Sequence, residues 1–424
     1  MIPLFWHRPT VLFNSILVDR DGASDHPERE IPKIQKQPLD QTDTLRYLLS
    51  QMGSFFIAAA IPVFFILIGI ELWVAKRRGR RLYRFEDSIT DLACGISSQI
   101  SAVLFKPFLA AGFAGLFSRF APRQLETSSI WTWVLCFVGV DFAYYWWHRL
   151  SHEVNFLWAE HAVHHQSEEY NLSVALRQAF FTQFTSFPFY APLALLGVPP
   201  LVIGTVIAIN TLYQFWIHTE LVDRLPRFEM LFNAPMHHRV HHAINPRYLD
   251  KNYAATFIIW DKLFGTYIEE TEKPVYGTVK PIRSFNAHWA NLEVWASLIS
   301  RARKAPTLIE GIKLFFMKPE WTLSNESHFN PPEVSRETFQ KFEKPVSQGV
   351  ALWIVAQFTV LGSVLVYLLA KPELDTALQW TAAFFVLWTI QDFAGWIERT
   401  RWAPVSEALR IALVITSAGL YFGL

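Results

Sequence analysis

Between Phe55 and Ala75 the chain carries one acid, Glu71, and is otherwise apolar apart from a single proline and a single glycine. A run of about 20 such residues matches the hydrocarbon thickness of a bilayer when coiled as a helix. Comparable apolar runs recur at 92–117, 130–147, 349–370, 378–396 and 405–424. Composition agrees: 51% of the 424 residues are hydrophobic and 16% aromatic, with 36 Phe and 17 Trp, too apolar for a soluble domain of this size. The expected class is all-α, a polytopic membrane helical bundle.

The first run ends in Lys76, Arg77, Arg78, Arg80, Arg81 and Arg84. Positive charge of this density marks the cytoplasmic end of a span. The next two runs then return and cross again, which delivers His148 to the cytoplasmic side. From Gln178 to Ile217 the chain is apolar but interrupted at Gly197-Val198-Pro199-Pro200, residues that stop a helix and turn it. A hairpin of two membrane helices is therefore expected, and it brings His218 back to the face that holds His161, His164 and His165.

Four regions follow from this pattern: a polar leader over 1–54, a membrane-embedded domain over 55–270, a cytoplasmic cap over 271–345, and three C-terminal membrane helices over 346–424. The cap carries Trp289, Trp295 and Trp321, residues suited to a membrane interface. The N-terminal MIPLFWHRPTVLFNS lacks a long apolar core with a small-residue cleavage site, so it is not expected to be a signal peptide. Net charge is +1 without a long basic tract, which excludes a nucleic-acid partner. Only Cys94 and Cys136 are present, both in apolar runs, so neither a disulfide framework nor a cysteine metal site is expected.

Nine of the 14 histidines form four groups on one membrane face. His148 and His152 stand four apart; His161, His164 and His165 stand at i, i+3 and i+4, as do His238, His241 and His242. Those offsets share a helix face. His218, one turn after Gln214, completes the set. Imidazole is the commonest protein ligand for iron, zinc and copper, and one zinc takes only four ligands. Nine imidazoles imply two ions in a di-metal centre. Iron suits oxidation of a lipid C–H bond, and zinc can replace it in a purified sample. Haem, with one or two axial ligands, leaves most of the set unused.

A ligating imidazole commonly donates its second N–H to a carboxylate or carbonyl. Asp141, Glu153, Gln214, His237 and Asp261 are the candidates for that outer layer. Arg177 and Gln178, where a membrane helix begins, suit a polar headgroup or a cofactor, although an arginine there also snorkels. Tyr144 and Tyr145 are candidates for the substrate path, as aromatic residues at a membrane boundary also are for an interfacial belt.

The segments DFAYYWWHRLSH (141–152), HAVHH (161–165), HHRVHH (237–242) and NYAATFIIWDKLFGTY (252–267) together resemble the fatty acid hydroxylase and sterol desaturase superfamily. Within it, EEYNLSVALRQ (168–178), which includes Asn171, and YQFWIHTELV (213–222) are similar to members that cleave ether lipids. The resemblance runs from about residue 45 to the C-terminus. It implies a non-haem di-iron monooxygenase that hydroxylates the ether-linked carbon of an alkylglycerol, giving a fatty aldehyde and a glycerol derivative. It also implies His148, His152, His161, His164, His165, His218, His238, His241 and His242 as ligands, tetrahydrobiopterin or another external reductant, molecular oxygen and a membrane lipid as substrate. Gln214 stands where some members have a further histidine. No fused haem motif accompanies His26-Pro27, so electrons come from a separate donor. The implied location is the endoplasmic reticulum in a eukaryote or the inner membrane in a bacterium.

Three other readings compete. They are a fatty acid or sterol hydroxylase or desaturase of the same superfamily, a metal-stabilised membrane scaffold without catalysis, and a metal transporter, which needs polar groups along a continuous path rather than at one end.

Overall fold

The structure is a computed structural model that describes residues 41–424 except 329, 372, 373, 423 and 424. The first forty residues of the leader, with His7 and His26, lie outside the described residues. The described chain is helical, with thirteen α-helices: α1 Gln41–Arg77, α2 Phe85–Phe120, α3 Ile130–Glu153, α4 Asn155–His165, α5 Thr182–Leu195, α6 Pro200–Phe215, α7 Pro235–His241, α8 Ile259–Phe264, α9 Ala287–Arg303, α10 Leu308–Lys313, α11 Gln348–Ala370, α12 Thr376–Ile397 and α13 Ala403–Phe422. No strand occurs among the described residues; two isolated bridges, Phe232 with Phe257 and Ala243 with Tyr276, tie loop segments together. The last part of the expected leader, from Gln41, is already helix.

Among the described residues three helices are long and apolar enough to cross a membrane: Ala59–Arg77 of α1, α2, and α11. This is a membrane protein. Ionisable groups lie inside other expected spans: Asp141 in α3, Asp392 in α12, and Glu407 and Arg410 in α13. Each charge is answered inside the protein. Arg410 donates to Asp392 at 2.8 Å and to Glu407 at 3.2 Å, and Trp353 and Trp396 donate their indole N–H to Glu407.

The hairpin forms, with its turn between Leu195 and Pro200, but its arms of 14 and 16 residues extend only about 21 and 24 Å, short of a full span. Its tip meets the α2–α3 connection at the far end of the bundle, where Leu125 N–H donates to the Gly197 carbonyl at 2.8 Å. The opposite ends of α5 and α6 therefore stop inside the bundle, and His218, just beyond α6, is buried there.

The two largest apolar clusters lie among the long helices. One cluster joins α2 to α11 and α12 through Ile100, Ile354, Leu365 and Ile390. The other packs α3 against the hairpin through Val140, Ala194 and Val202. Between the near ends of these helices the loops and short helices of the cap close over the histidines.

Candidate metal centre

The nine imidazoles expected as ligands come together as two sets. His148, His152, His161, His165 and His241 form the first, and His164, His218, His238 and His242 the second; within each set the ligating atoms lie within 4.8 Å of one another. Each i, i+3, i+4 triplet is split between the two. In α4, His161 and His165 face the first set and His164 the second; around α7, His241 joins the first while His238 and His242 join the second. The sets are contiguous, since the rings of His165 and His242 stack with centroids 4.3 Å apart. His237, adjacent to His238, points elsewhere and packs on Tyr267.

Backbone carbonyls orient the rings. His148 donates from Nδ1 to the Tyr253 carbonyl at 2.7 Å, His164 to Arg177 at 2.9 Å, His218 to Gln214 at 2.8 Å and His241 to Lys251 at 3.0 Å. A proton fixed on Nδ1 of a neutral ring leaves Nε2 with a bare lone pair. Burial keeps these rings neutral: it holds His164 down at about 4 and His241 at about 3, and pushes His165, His218, His238 and His242 well below the ordinary histidine value.

The Nε2 atoms converge. His164 Nε2 lies 3.2 Å from His218 Nε2, His238 Nε2 is 3.1 Å from His218 Nε2, and His242 Nε2 is 3.3 Å from His238 Nε2. His161 and His165 bring their Nε2 atoms within 3.1 Å in the first set. Between His164 and His218 no proton is left to bridge the pair. A cation bound about 2.0–2.1 Å from each nitrogen sets neighbouring ligand atoms about 3.0–3.4 Å apart, the separation found. Nε2 of His148, His152 and His241 is buried without a hydrogen-bond partner, which is costly for a structural histidine and ordinary for a ligand. The residues present fit a pair of metal ions.

The outer layer is built largely from backbone held by carboxylates. Asp261 accepts from the N–H of Tyr253 at 2.8 Å and of Ala254 at 2.9 Å, and so frames the carbonyl that orients His148. Asp141 accepts from Thr256 N–H, Phe257 N–H, the Trp260 indole and the Asn210 amide. It braces the same loop from α3 without touching an imidazole. Gln214 serves through its carbonyl, while its side chain turns back to Asn210. Glu153 pairs with Arg149 at 3.1 Å.

The expected substrate contacts divide. Arg177 is 2% exposed; its guanidinium donates to Asp91 at 3.1 Å, to the Val163 carbonyl and to Gln166, and its own carbonyl orients His164. Asn171 donates to the Leu82 carbonyl and accepts from Ser173 N–H. Tyr145 is fully buried, with its hydroxyl against Thr266. All three are consumed by protein groups. Tyr144 stands edge-on to His148 with ring centroids 5.2 Å apart, and Gln178 is half-buried at the approach to α5.

Sequence reasoning passed over Tyr170, Tyr253 and Asp91. Tyr170 stacks on His218 at 5.7 Å and contacts His242, and Tyr253 contacts His148, His152 and His241. Asp91 offered a weak signal, an acid at the edge of the apolar run that begins at residue 92. The carbonyl acceptors offered none, because every residue has one.

A helical membrane domain closing over two adjoining sets of neutral imidazoles defines a histidine-rich membrane hydroxylase. Residues 133–266, which include all nine histidines, match the family model for fatty acid hydroxylase. The chain is 34% identical to alkylglycerol monooxygenase of Xenopus tropicalis, covering 85% of this chain and 81% of that protein. It is 37% identical to the Danio rerio protein of that name, with the same coverage, and 37% identical to that of Homo sapiens, over 72% of this chain and 69% of the relative. The chain belongs to the alkylglycerol monooxygenase family. No solved structure matches it.

Proposed function

We propose that this protein is a di-iron, oxygen-dependent monooxygenase that cleaves the ether bond of alkylglycerol lipids. The observation that carries the proposal is the convergence of nine imidazoles in sets of five and four, four of them with Nε2 freed by a carbonyl on Nδ1, together with relatives named for that activity over most of the chain. His148, His152, His161, His165 and His241 hold one ion, and His164, His218, His238 and His242 the other. Bound iron supplies oxygen activation, the step side chains cannot perform.

The chain's own groups position and enclose. The carbonyls of Tyr253, Arg177, Gln214 and Lys251 hold four ligands in one tautomer. Burial keeps water from the centre. Tyr144 lies between the α3–hairpin core and His148, where an alkyl chain entering from the bilayer reaches the site with its head near the metals. One oxygen atom enters the ether-linked carbon as hydroxyl and the other leaves as water, with two electrons and two protons from outside. The hemiacetal then breaks into a fatty aldehyde and a glycerol derivative.

The electrons come from tetrahydrobiopterin or another soluble donor. The basic cluster after α1 supports a cytoplasmic site: Arg80 pairs with Glu220, two residues after His218, and Arg78 donates to the Leu221 carbonyl. The membrane is that of the endoplasmic reticulum in a eukaryotic cell or the inner membrane in a bacterium.

The test is oxygen uptake and aldehyde release by iron-loaded protein supplied with reductant over a panel of alkylglycerols, fatty acids and sterols. Aldehyde formed from alkylglycerols alone is the expected outcome. Uptake driven only by fatty acids or sterols would replace this substrate with those.

A further inference from the structure

The cap carries an apolar face that no part of the described protein covers. On α9, Trp289, Leu292, Ala296 and Ile299 are exposed at i, i+3, i+7 and i+10, which places them along one side of the helix. The face continues through α10 and its following turn, where Leu308 is 81% and Phe316 67% exposed and Ile309 and Ile312 also face outward. Exposed Arg303, Lys304 and Lys313 lie along it.

Its level is set by α3. That helix begins at exposed Ile130 and Trp131, and rising 1.5 Å per residue it crosses about 30 Å of hydrocarbon near Leu150. The α3–α4 junction lies just beyond that point, and the α10 turn is bonded to it: Asn155 N–H donates to the Met317 carbonyl, Phe156 N–H to Phe315, and the Asn155 amide to Leu314. Phe156 and Phe181, at the same end of the bundle, are themselves exposed, so the apolar belt of the membrane helices runs on into this face.

We infer that α9 and α10 lie in the lipid–water interface as a monotopic surface, with Leu292, Ile309 and Phe316 in the leaflet and the flanking cations at anionic headgroups. A contiguous apolar face beside a membrane domain, edged by positive charge, fits a lipid leaflet in chemistry and in level. The same surface fixes the depth of the metal centre, because α9 packs on α4, which carries three of the histidines, and the α10 turn is bonded to the junction between His152 and His161.

The test places an environment-sensitive fluorophore on single thiols, using Leu292→Cys, Ile309→Cys and Phe316→Cys, with exposed Glu333→Cys as the aqueous control. Cys94 and Cys136 are fully buried, so labelling goes to the introduced residue. Full-length protein is reconstituted in vesicles of phosphatidylcholine and phosphatidylglycerol, with brominated phosphatidylcholine as the lipid quencher and iodide as the aqueous one. The three face positions are expected to be quenched by brominated lipid and protected from iodide at least fivefold relative to the control. Iodide access equal to the control overturns the inference. Protection that appears only at high protein-to-lipid ratio, with cross-linking between copies, overturns it in favour of a contact between two chains.

Discussion

At the scale of single residues, the most informative side chains are those whose role differs from what their type suggests. His218 stands outside the two sequence triplets, yet it has His164 and His238 at 3.2 and 3.1 Å. His218→Ala is expected to lower metal content from two ions toward one per chain and to reduce turnover by more than about 100-fold, above the roughly 10- to 100-fold typical of outer-layer changes. Retention of both ions in that variant, measured by elemental analysis, would remove His218 from the ligand set. Arg177 offers the reverse case. A lipid-binding arginine replaced by leucine would raise KM and leave stability alone. Here Arg177→Leu strands Asp91, which is fully buried, and breaking a buried ion pair from one side costs about 3–5 kcal/mol. A loss of unfolding free energy of that size, read from denaturant unfolding as a lowered midpoint, is expected; an unchanged midpoint with altered KM would restore the headgroup role.

At the scale of elements, the spacing of histidines was legible in the sequence and their division was not. The offsets i, i+3 and i+4 place His161, His164 and His165 on one face, but a face is wide enough to meet two centres, and only the packing of α4 against α3 and α7 decides which ring turns where. The hairpin was legible because Gly197 and Pro199 are strong signals. Its short arms were not, since apolar residues outside a helix look the same as those inside one. Gly197 shows why its type is required: its φ is +91°, and a Cβ there would lie 1.8 Å from the Arg123 carbonyl oxygen. Gly197→Ala is expected to destabilise the protein by about 1–3 kcal/mol. Because the turn lies at the far end of the bundle, the folded fraction should keep its full metal content. Loss of metal from that fraction would show that the two ends of the hairpin are coupled.

At the scale of the whole molecule, the fold gathers nine ionisable rings into an interior that excludes their charged form, which makes the metal-free protein a sensor of pH. In the unfolded chain each histidine titrates near 6.5. In the folded one, burial holds His164 at about 4 and His241 at about 3. Folded-state values below the unfolded ones mean that, as pH falls through 6.5, the unfolded chain takes up protons that the folded chain refuses. Stability is then lost progressively down to the folded values. At pH 5 the cost is about 2 kcal/mol for each of these two rings, and the other buried imidazoles add in the same direction. Bound metal stabilises the neutral rings, so protons must first displace it. Chelated protein is therefore expected to show an unfolding midpoint that falls steeply between pH 7 and pH 5, whereas metal-loaded protein holds its midpoint to a lower pH and then loses metal and stability together. Thermal unfolding of both forms across that range is the measurement. Superimposed profiles would mean that the imidazoles already reach water, and that the neutral, converging Nε2 atoms on which the metal assignment rests are not those of the folded protein.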